Sequence, residues 1–460
     1  MIGLPHRFIR VLQLSFTAYL CVAVVYATYH FAKLPWNDGI RSFPSTLRDS
    51  RWSSLKFPQS LDFMGSYKPL STIGELPTDS NINAGLLDDK FYWDTSKVAL
   101  DLGMGHQGRV SMDEQLFLSK AFGVAMGPSR IIPFYYKATS EVDQEDITIT
   151  TLITSNRFSV FARLVEHYQG PVSVTIHIKN ETEHIRELLD SLHSLYTSSP
   201  SMSAHVDVHL VIDNFERQFN MWRNVARLFA RTDYVMMLDV DFALCTDFRQ
   251  AIRNSEQVVS KLRQGNAAFV IPAFEYTNAS DGTDQSTFPR DKDSLLPLVD
   301  SKRIGMFHAS WGPGHNSTDY PKYYASKPGE VYKVTQYQSA YEPYVVFKKE
   351  GPPWCDERFI GYGANKAACL FEMYISGVSF YVLSDHFIIH QNHAYEETAR
   401  KNERRYNRKI YADFKEEACL RYIRMYRSQG LLNTTLAYNV QTECPKIKNV
   451  ARLFGQLGET

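Results

Sequence analysis

The chain has 460 residues, of which 44% are apolar, 22% charged and 13% aromatic, enough to bury a large core. Glycine and proline together make up under a tenth of it, which excludes collagen-like and wholly disordered chains. Fifty basic residues balance fifty acidic ones, so the chain lacks the positive footprint of a general nucleic-acid binder.

In chain order, residues 1–10 read as a cytoplasmic tail and 11–32 as a transmembrane signal-anchor. Val11–Ala32 carries no formal charge and lies between Arg10 and Lys33. As a helix it would span roughly 33 Å, about the thickness of a bilayer's hydrocarbon core. That is longer than the apolar stretch of a cleaved signal peptide. Arg7 and Arg10 favour a cytoplasmic N-terminus, which would place residues 33–460 on the lumenal side. Sequons at Asn180, Asn278, Asn316 and Asn433 agree with that orientation. Five cysteines lie downstream of the anchor, and Cys419 with Cys444 is the preferred disulfide.

Residues 33–95, rich in proline and serine, read as a stem, and 96–146 as a segment packed on the core before the catalytic domain. Gly103, Gly105 and Gly108 match a dinucleotide fingerprint in spacing, but a turn before a helix capped at Ser111–Glu114 accounts for them better. Residues 147–430 form the expected catalytic domain, with 431–460 as an extension. Strands are predicted at 147–153, 172–178, 206–212, 234–238, 267–274 and 380–389. Helices are predicted at 158–168, 183–195 and 248–262, and around Phe219–Phe229. This alternation argues for an α/β fold: a Rossmann-like, mostly parallel sheet with helices on both faces. Such sheets bind ligands beyond the carboxyl ends of their strands, where Asp239 and Asp241 fall.

Two carboxylates after the apolar run Tyr234–Leu238 are costly to bury without a cation. Oxygen ligands suit a hard divalent ion, and an added imidazole leans towards Mn²⁺, with Mg²⁺ as the alternative. A late strand ends at His390-Gln-Asn-His393. His390, placed directly after a buried strand, is the preferred ligand, and His393 is expected to have left the sheet. Asp356–Lys366 contains Gly361 and Gly363 and leads into a helix with Glu372. A phosphatase reading of Asp-x-Asp fails, because Phe242-Ala243 stands where Gly-Thr is required.

Several ordered stretches carry a resemblance. They are Gly170–Val174, Phe219–Ala226, Leu238–Phe242, Ile271–Glu275, Gly314–Thr318, Tyr341–Val346, Asp356–Lys366, Phe380–Leu383 and Ile389–His393. From about Arg130 to Tyr426 the chain resembles glycosyltransferase family 49, the domain of LARGE-type dystroglycan glycosyltransferases and of β-1,4-glucuronyltransferase. The resemblance implies a GT-A fold and metal-dependent, inverting transfer from a UDP-sugar, with glucuronic acid as a lead, to a glycan or glycoprotein acceptor. It implies a single-pass type II Golgi membrane protein with a lumenal catalytic domain. It further implies Asp239, Asp241 and His390 as metal ligands, and Asn220, Arg223 and Asn224 close to the donor, with Asp239. Ala364 and Ser317 stand where LARGE-type sequences carry Trp and Pro. Inversion needs an acceptor-side base; Asp356 is the first choice, followed by Glu342 and Glu372. The alternative is a catalytically inactive, membrane-tethered glycan-binding protein descended from a transferase.

Overall fold

The computed structural model describes residues 90–94, 109–113, 129–215, 217–393 and 397–457. The predicted anchor at 11–32 and the glycine run at 103–108 lie outside these. Among the described residues no helix is long and apolar enough to cross a membrane. Strand β1 (Lys90–Asp94) pairs antiparallel with β2 (Arg109–Asp113). Residues 90–94, expected to close the stem, form a strand, and Ser111–Asp113, where a helix is expected to begin, belong to β2; the residues that follow lie outside the described ones.

The main structure is a mixed α/β domain around a nine-stranded sheet. Its centre follows the predicted alternation. Strands β4 (Ile147–Ile153), β5 (Val172–Lys179) and β6 (Val206–Asp213) run parallel and are buried almost throughout, as continuous β-branched runs require when both faces are covered. Between them lie α1 (Phe158–Tyr168), α2 (Thr182–Ser198) and α3 (Pro200–His205). Helix α1 buries Phe161, Leu164, Val165 and Tyr168, the i, i+3, i+4, i+7 stripe of an amphipathic helix. It stops where Gln169 turns left-handed, with φ 50°. β3 (Arg130–Tyr136) adds antiparallel at the edge, with its register broken between Ile132 and Tyr136. Pro133 in that stretch cannot donate to the ladder, which an edge strand tolerates.

On the other side of β4 the sheet departs from the expected parallel order. After helix α4 (Phe219–Leu228), β7 (Tyr234–Met237) pairs parallel with β4. The sheet continues with β13 (Tyr344–Lys348), β9 (Ala267–Ile271), β14 (Ser379–Leu383) and β12 (Val331–Lys333). β13 is antiparallel to both neighbours, so half of the eight pairings are parallel and the sheet is mixed. The predicted helix at 248–262 is two, α5 (Phe248–Arg253) and α6 (Glu256–Gln264), interrupted at Asn254 and Ser255. The predicted strand at 267–274 breaks at Pro272, and that at 380–389 breaks at Ser384–Phe387.

Both breaks deliver chain to a second, four-stranded sheet. It contains β8 (Phe242–Leu244), β10 (Ala273–Tyr276), β11 (Ile304–Met306) and β15 (Ile388–His390). Helices α7 (Lys292–Asp300) and α8 (Tyr320–Ala325) flank the connections around this sheet. Helix α9 (Asn365–Ile375) is buried along its whole length. The 32-residue α10 (Glu397–Ser428) is followed by α11 (Tyr438–Glu443) and α12 (Lys448–Leu457). Disulfides link Cys419 to Cys444, as preferred from the sequence, and Cys355 to Cys369. Cys245 is a buried free thiol.

Candidate active site

Asp239 follows β7 at the carboxyl end of the central strands. Its carboxylate accepts from Arg223 Nη2 at 3.2 Å, Lys366 Nζ at 3.2 Å and the Tyr344 hydroxyl at 2.9 Å. Burial alone would raise its pKa, but the two cations and the hydroxyl hold this carboxyl well below the usual range. The Lys366 ammonium also lies over the Tyr344 ring, 3.7 Å from its centroid. Arg223 Nη1 donates to Asn220 Oδ1 at 3.0 Å and Asn365 Oδ1 at 2.7 Å. Asn220 Nδ2 holds the carbonyls of Asp356 and Asn365 at 2.8 and 3.0 Å. Asn224 brackets Cys355, donating to its carbonyl at 2.8 Å and accepting from its amide at 3.0 Å. One face of α4 therefore fastens the Cys355–Asn365 segment to Asp239. Arg223 reaches Asp239, while Asn220 and Asn224 act on the frame.

Asp241 opens β8, and β8 pairs antiparallel with β15 so that His390 lies opposite Phe242. One residue further, the Gln391 amide donates to the Asp241 carbonyl at 2.7 Å. This register brings three potential ligands together: atoms of Asp241, His390 and His393 all lie within 4.8 Å of one another. His393 Nε2 is 3.2 Å from Asp241 Oδ2, and Arg157 Nε is 3.4 Å from Oδ1. Burial pushes the His390 imidazole down to about 4 against the pull of Asp241. It is therefore neutral at pH 7, the form that ligates metals. Two imidazoles and a carboxylate suit a borderline divalent first-row ion. The donor set fits a divalent cation. Of the expected trio, Asp241 and His390 lie with His393 in this group of possible ligands, while the Asp239 carboxylate is engaged by Arg223, Lys366 and Tyr344.

The three candidate bases differ in surroundings. Asp356 gives both carboxylate oxygens to Arg358, with Nη2–Oδ2 at 2.7 Å, and Arg358 also pairs with Glu417 at 2.8 Å. Glu372 is buried on α9 and accepts from Arg421 at 2.6 Å. Burial raises its pKa to about 7 despite that arginine. Glu342 is partly buried, and its pKa is raised by burial, opposed by Lys366 and Arg223. It is the candidate that shares the charge environment of Asp239. Its amide donates to the Gly314 carbonyl at 2.8 Å.

Over the cation cluster lies the 307–315 segment. The Phe307 ring is 5.0 Å from that of His390 and 4.9 Å from that of Phe242. The His308 amide donates to Glu275 Oε1 at 2.9 Å, and Glu275 is paired in register with His390. Lys366 and Tyr344 were passed over as site residues in the sequence, though both lie inside stretches noted there. Their only signal was proximity to Gly361–Gly363 and to the Glu-Pro pair at 342–343.

Comparison with known proteins places the chain in a family. The family model described as "Glycosyl-transferase for dystroglycan" matches residues 146–218 and 213–423. The xylosyl- and glucuronyltransferase LARGE2 of Rattus norvegicus is 33% identical over 255 residues, which is 54% of this chain and 35% of its own length. LARGE1 of Homo sapiens is 27% identical over 299 residues, 63% of this chain and 37% of its own. The chain thus spans about a third of the length of these relatives. Among solved structures, GalNAc-T7 with UDP, GalNAc and Mn²⁺ covers 53% of this chain and 43% of its own at 12% identity. Its TM-score of 0.33 is too low to support an argument.

Proposed function

Because the chain belongs to the family of glycosyl-transferases for dystroglycan, we propose that it transfers a sugar from a UDP-sugar to a glycan acceptor by a metal-dependent, inverting reaction of the GT-A type. The observation that carries this reading is the convergence of Asp241, His390 and His393 beside the Asp239–Arg223–Lys366 network. A divalent cation held by Asp241, His390 and His393 would supply electrostatic stabilisation for the departing diphosphate. Arg223 and Lys366 keep Asp239 ionised and fixed, and Arg157 Nε lies 3.4 Å from Asp241 Oδ1. Glu342 is the base best supported: burial raises its pKa and it lies in the same charge cluster. Asp356, already held on both oxygens by Arg358, positions its own turn instead.

The same reading places the protein in the Golgi membrane as a type II chain. Support comes from the uncharged 11–32 segment, from the exposed Asn278 and Asn433 sequons, and from two disulfides that suit an oxidising lumen. Incubating residues 33–460 with a panel of UDP-sugars, UDP-glucuronic acid first, and Mn²⁺ tests the chemistry. Release of UDP that stops on chelation is expected. Glycan binding without UDP release from any sugar would turn the reading to a tethered glycan-binding protein.

A further inference from the structure

We infer that Trp311 is a stacking platform for a pyranose ring of the acceptor, an inference that rests on the transferase reading above. Trp311 is 61% exposed, the most exposed of the large apolar side chains among the described residues. A single exposed apolar side chain needs no ligand by itself; Trp311 is set apart by the segment that carries it, which contacts both the possible metal ligands and Glu342.

Its backbone is held firmly. Trp311 N donates to the His308 carbonyl at 2.7 Å, closing a turn that keeps their Cα atoms within about 7 Å. The turn is anchored beneath by Phe307 against His390 and by the His308 amide on Glu275. Beyond it, a Cβ on Gly312 would come within 2.6 Å of Asn316 Nδ2, and one on Gly314 within 3.5 Å of Trp311 Cδ1. The Gly314 carbonyl takes the Glu342 amide. The indole is therefore displayed from a segment fastened at one end to the cation cluster and at the other to the favoured base. With Glu342 taken as the base that withdraws the acceptor's proton, a segment whose Gly314 carbonyl takes the Glu342 amide is read as lying on the acceptor side.

The other exposed ring near the site is less suited. Tyr362 already has the Arg400 guanidinium over its face at 4.1 Å and the Phe219 ring against it at 5.2 Å. The face of a pyranose that carries several C–H bonds is apolar enough to cover an indole while its hydroxyls stay hydrated. Such a contact removes roughly 50 Å² of apolar surface from water, corresponding to about a tenfold change in affinity.

Two measurements on residues 33–460 decide this. In the first, the indole N–H resonance of Trp311, assigned by its loss in Trp311→Phe, is followed while methyl β-D-xylopyranoside or methyl β-D-glucuronide is added. A saturable shift is expected, and no shift with either glycoside overturns the inference whether or not the protein turns over. In the second, acceptor KM and kcat are compared between the parent, Trp311→Ala, Trp311→Phe and Leu436→Ala, the last an exposed apolar control away from the site. Trp311→Ala should raise acceptor KM about tenfold with kcat within about twofold, and Trp311→Phe should recover most of the loss. Unchanged KM, or an equal loss in UDP affinity, overturns the stacking role. Absence of UDP-sugar consumption by the parent overturns the transferase reading alone, because the resonance shift still reports on Trp311.

Discussion

Asn220→Ala separates a frame residue from a donor ligand. Asn220 is fully buried, and its amide donates to the carbonyls of Asp356 and Asn365 while accepting from Arg223. Truncation strips two buried carbonyls of a donor. The Asn365 carbonyl sits in the first turn of α9 and keeps its helical partner, so its loss is near 1 kcal/mol. The Asp356 carbonyl loses more, about 1–3 kcal/mol, as a buried acceptor left short of partners. Arg223 retains Asn365 Oδ1 and Asp239, so its ion pair survives. The sum is about 2–4 kcal/mol, a fall in Tm of several degrees for a domain of this size. Asn220→Asp preserves shape and the acceptor for Arg223 but turns carboxylate oxygens on both carbonyls, and should cost at least as much. Differential scanning fluorimetry, with UDP titration on the same variants, measures both effects. A Tm within about 1 °C of the parent, accompanied by weakened UDP binding, would refute the argument and make Asn220 a donor contact.

His390→Ala and His393→Ala should each weaken Mn²⁺ binding by at least about tenfold in calorimetric titration, because the geometry enlists both rings. Retention of parental affinity in His393→Ala would return that place to Asp239. Glu342→Gln should lower kcat by about 10²–10⁴ with UDP affinity preserved, whereas Asp356→Asn should mainly lower Tm; the reverse pattern restores Asp356 as the base. A pH effect centres on His209. Burial pushes its pKa down to about 3. The Phe134 amide donates to Nδ1 at 2.9 Å, which leaves the proton on Nε2 beside Ser173 Oγ at 3.0 Å. The unfolded chain binds this proton near pH 6.5 and the folded chain resists it until about pH 3. Stability is therefore full above the unfolded value and falls as pH drops, by roughly 2 kcal/mol between pH 6.5 and 5. Urea unfolding of His209→Gln at both pH values should show a shallower dependence; an unchanged slope would contradict the assignment.

The central strands and α1 were legible because their periodicity is strong and their ends are marked. Ile147–Ile153, Phe158–Tyr168 and Val206–Asp213 emerge within one residue of their predicted bounds. Breaks were harder to see. Pro272 and Ser384–Phe387 divide apolar runs whose halves serve different sheets, and nothing local announces a change of sheet. β13 was hidden for a related reason: four residues between a Glu-Pro pair and two lysines resemble a loop until β7 and β9 are there to pair with them. At the site, Asp241 and His390 could be proposed from strand ends. The reach of His393 to Asp241 depends on the β8–β15 register and the turn after it, a distance that spacing along the chain does not encode. Lys366 was invisible for the same reason, since its partner lies 127 positions away.

The Cys355–Cys369 bond closes a loop around the Asp356–Ala364 turn, with a sequence separation of 14. Restricting the unfolded chain over such a span is worth about 3 kcal/mol in the loop-entropy model, independent of the residues inside it. The turn is thus a tethered cassette: its base is stapled covalently and its rim is held by Asn220 and Asn224, while Phe359 inside it packs into the core. Ala364, left-handed at φ 58°, and Gly361 and Gly363 set its shape, while Tyr362 and Ile360 face outward. Exchange of the outward-facing Ile360 and Tyr362 should be tolerated far better than exchange of Phe359, Asn365 or Lys366 within the same ring. Variation at these outward positions can accumulate without touching Asn365 and Lys366, which hold Arg223 and Asp239.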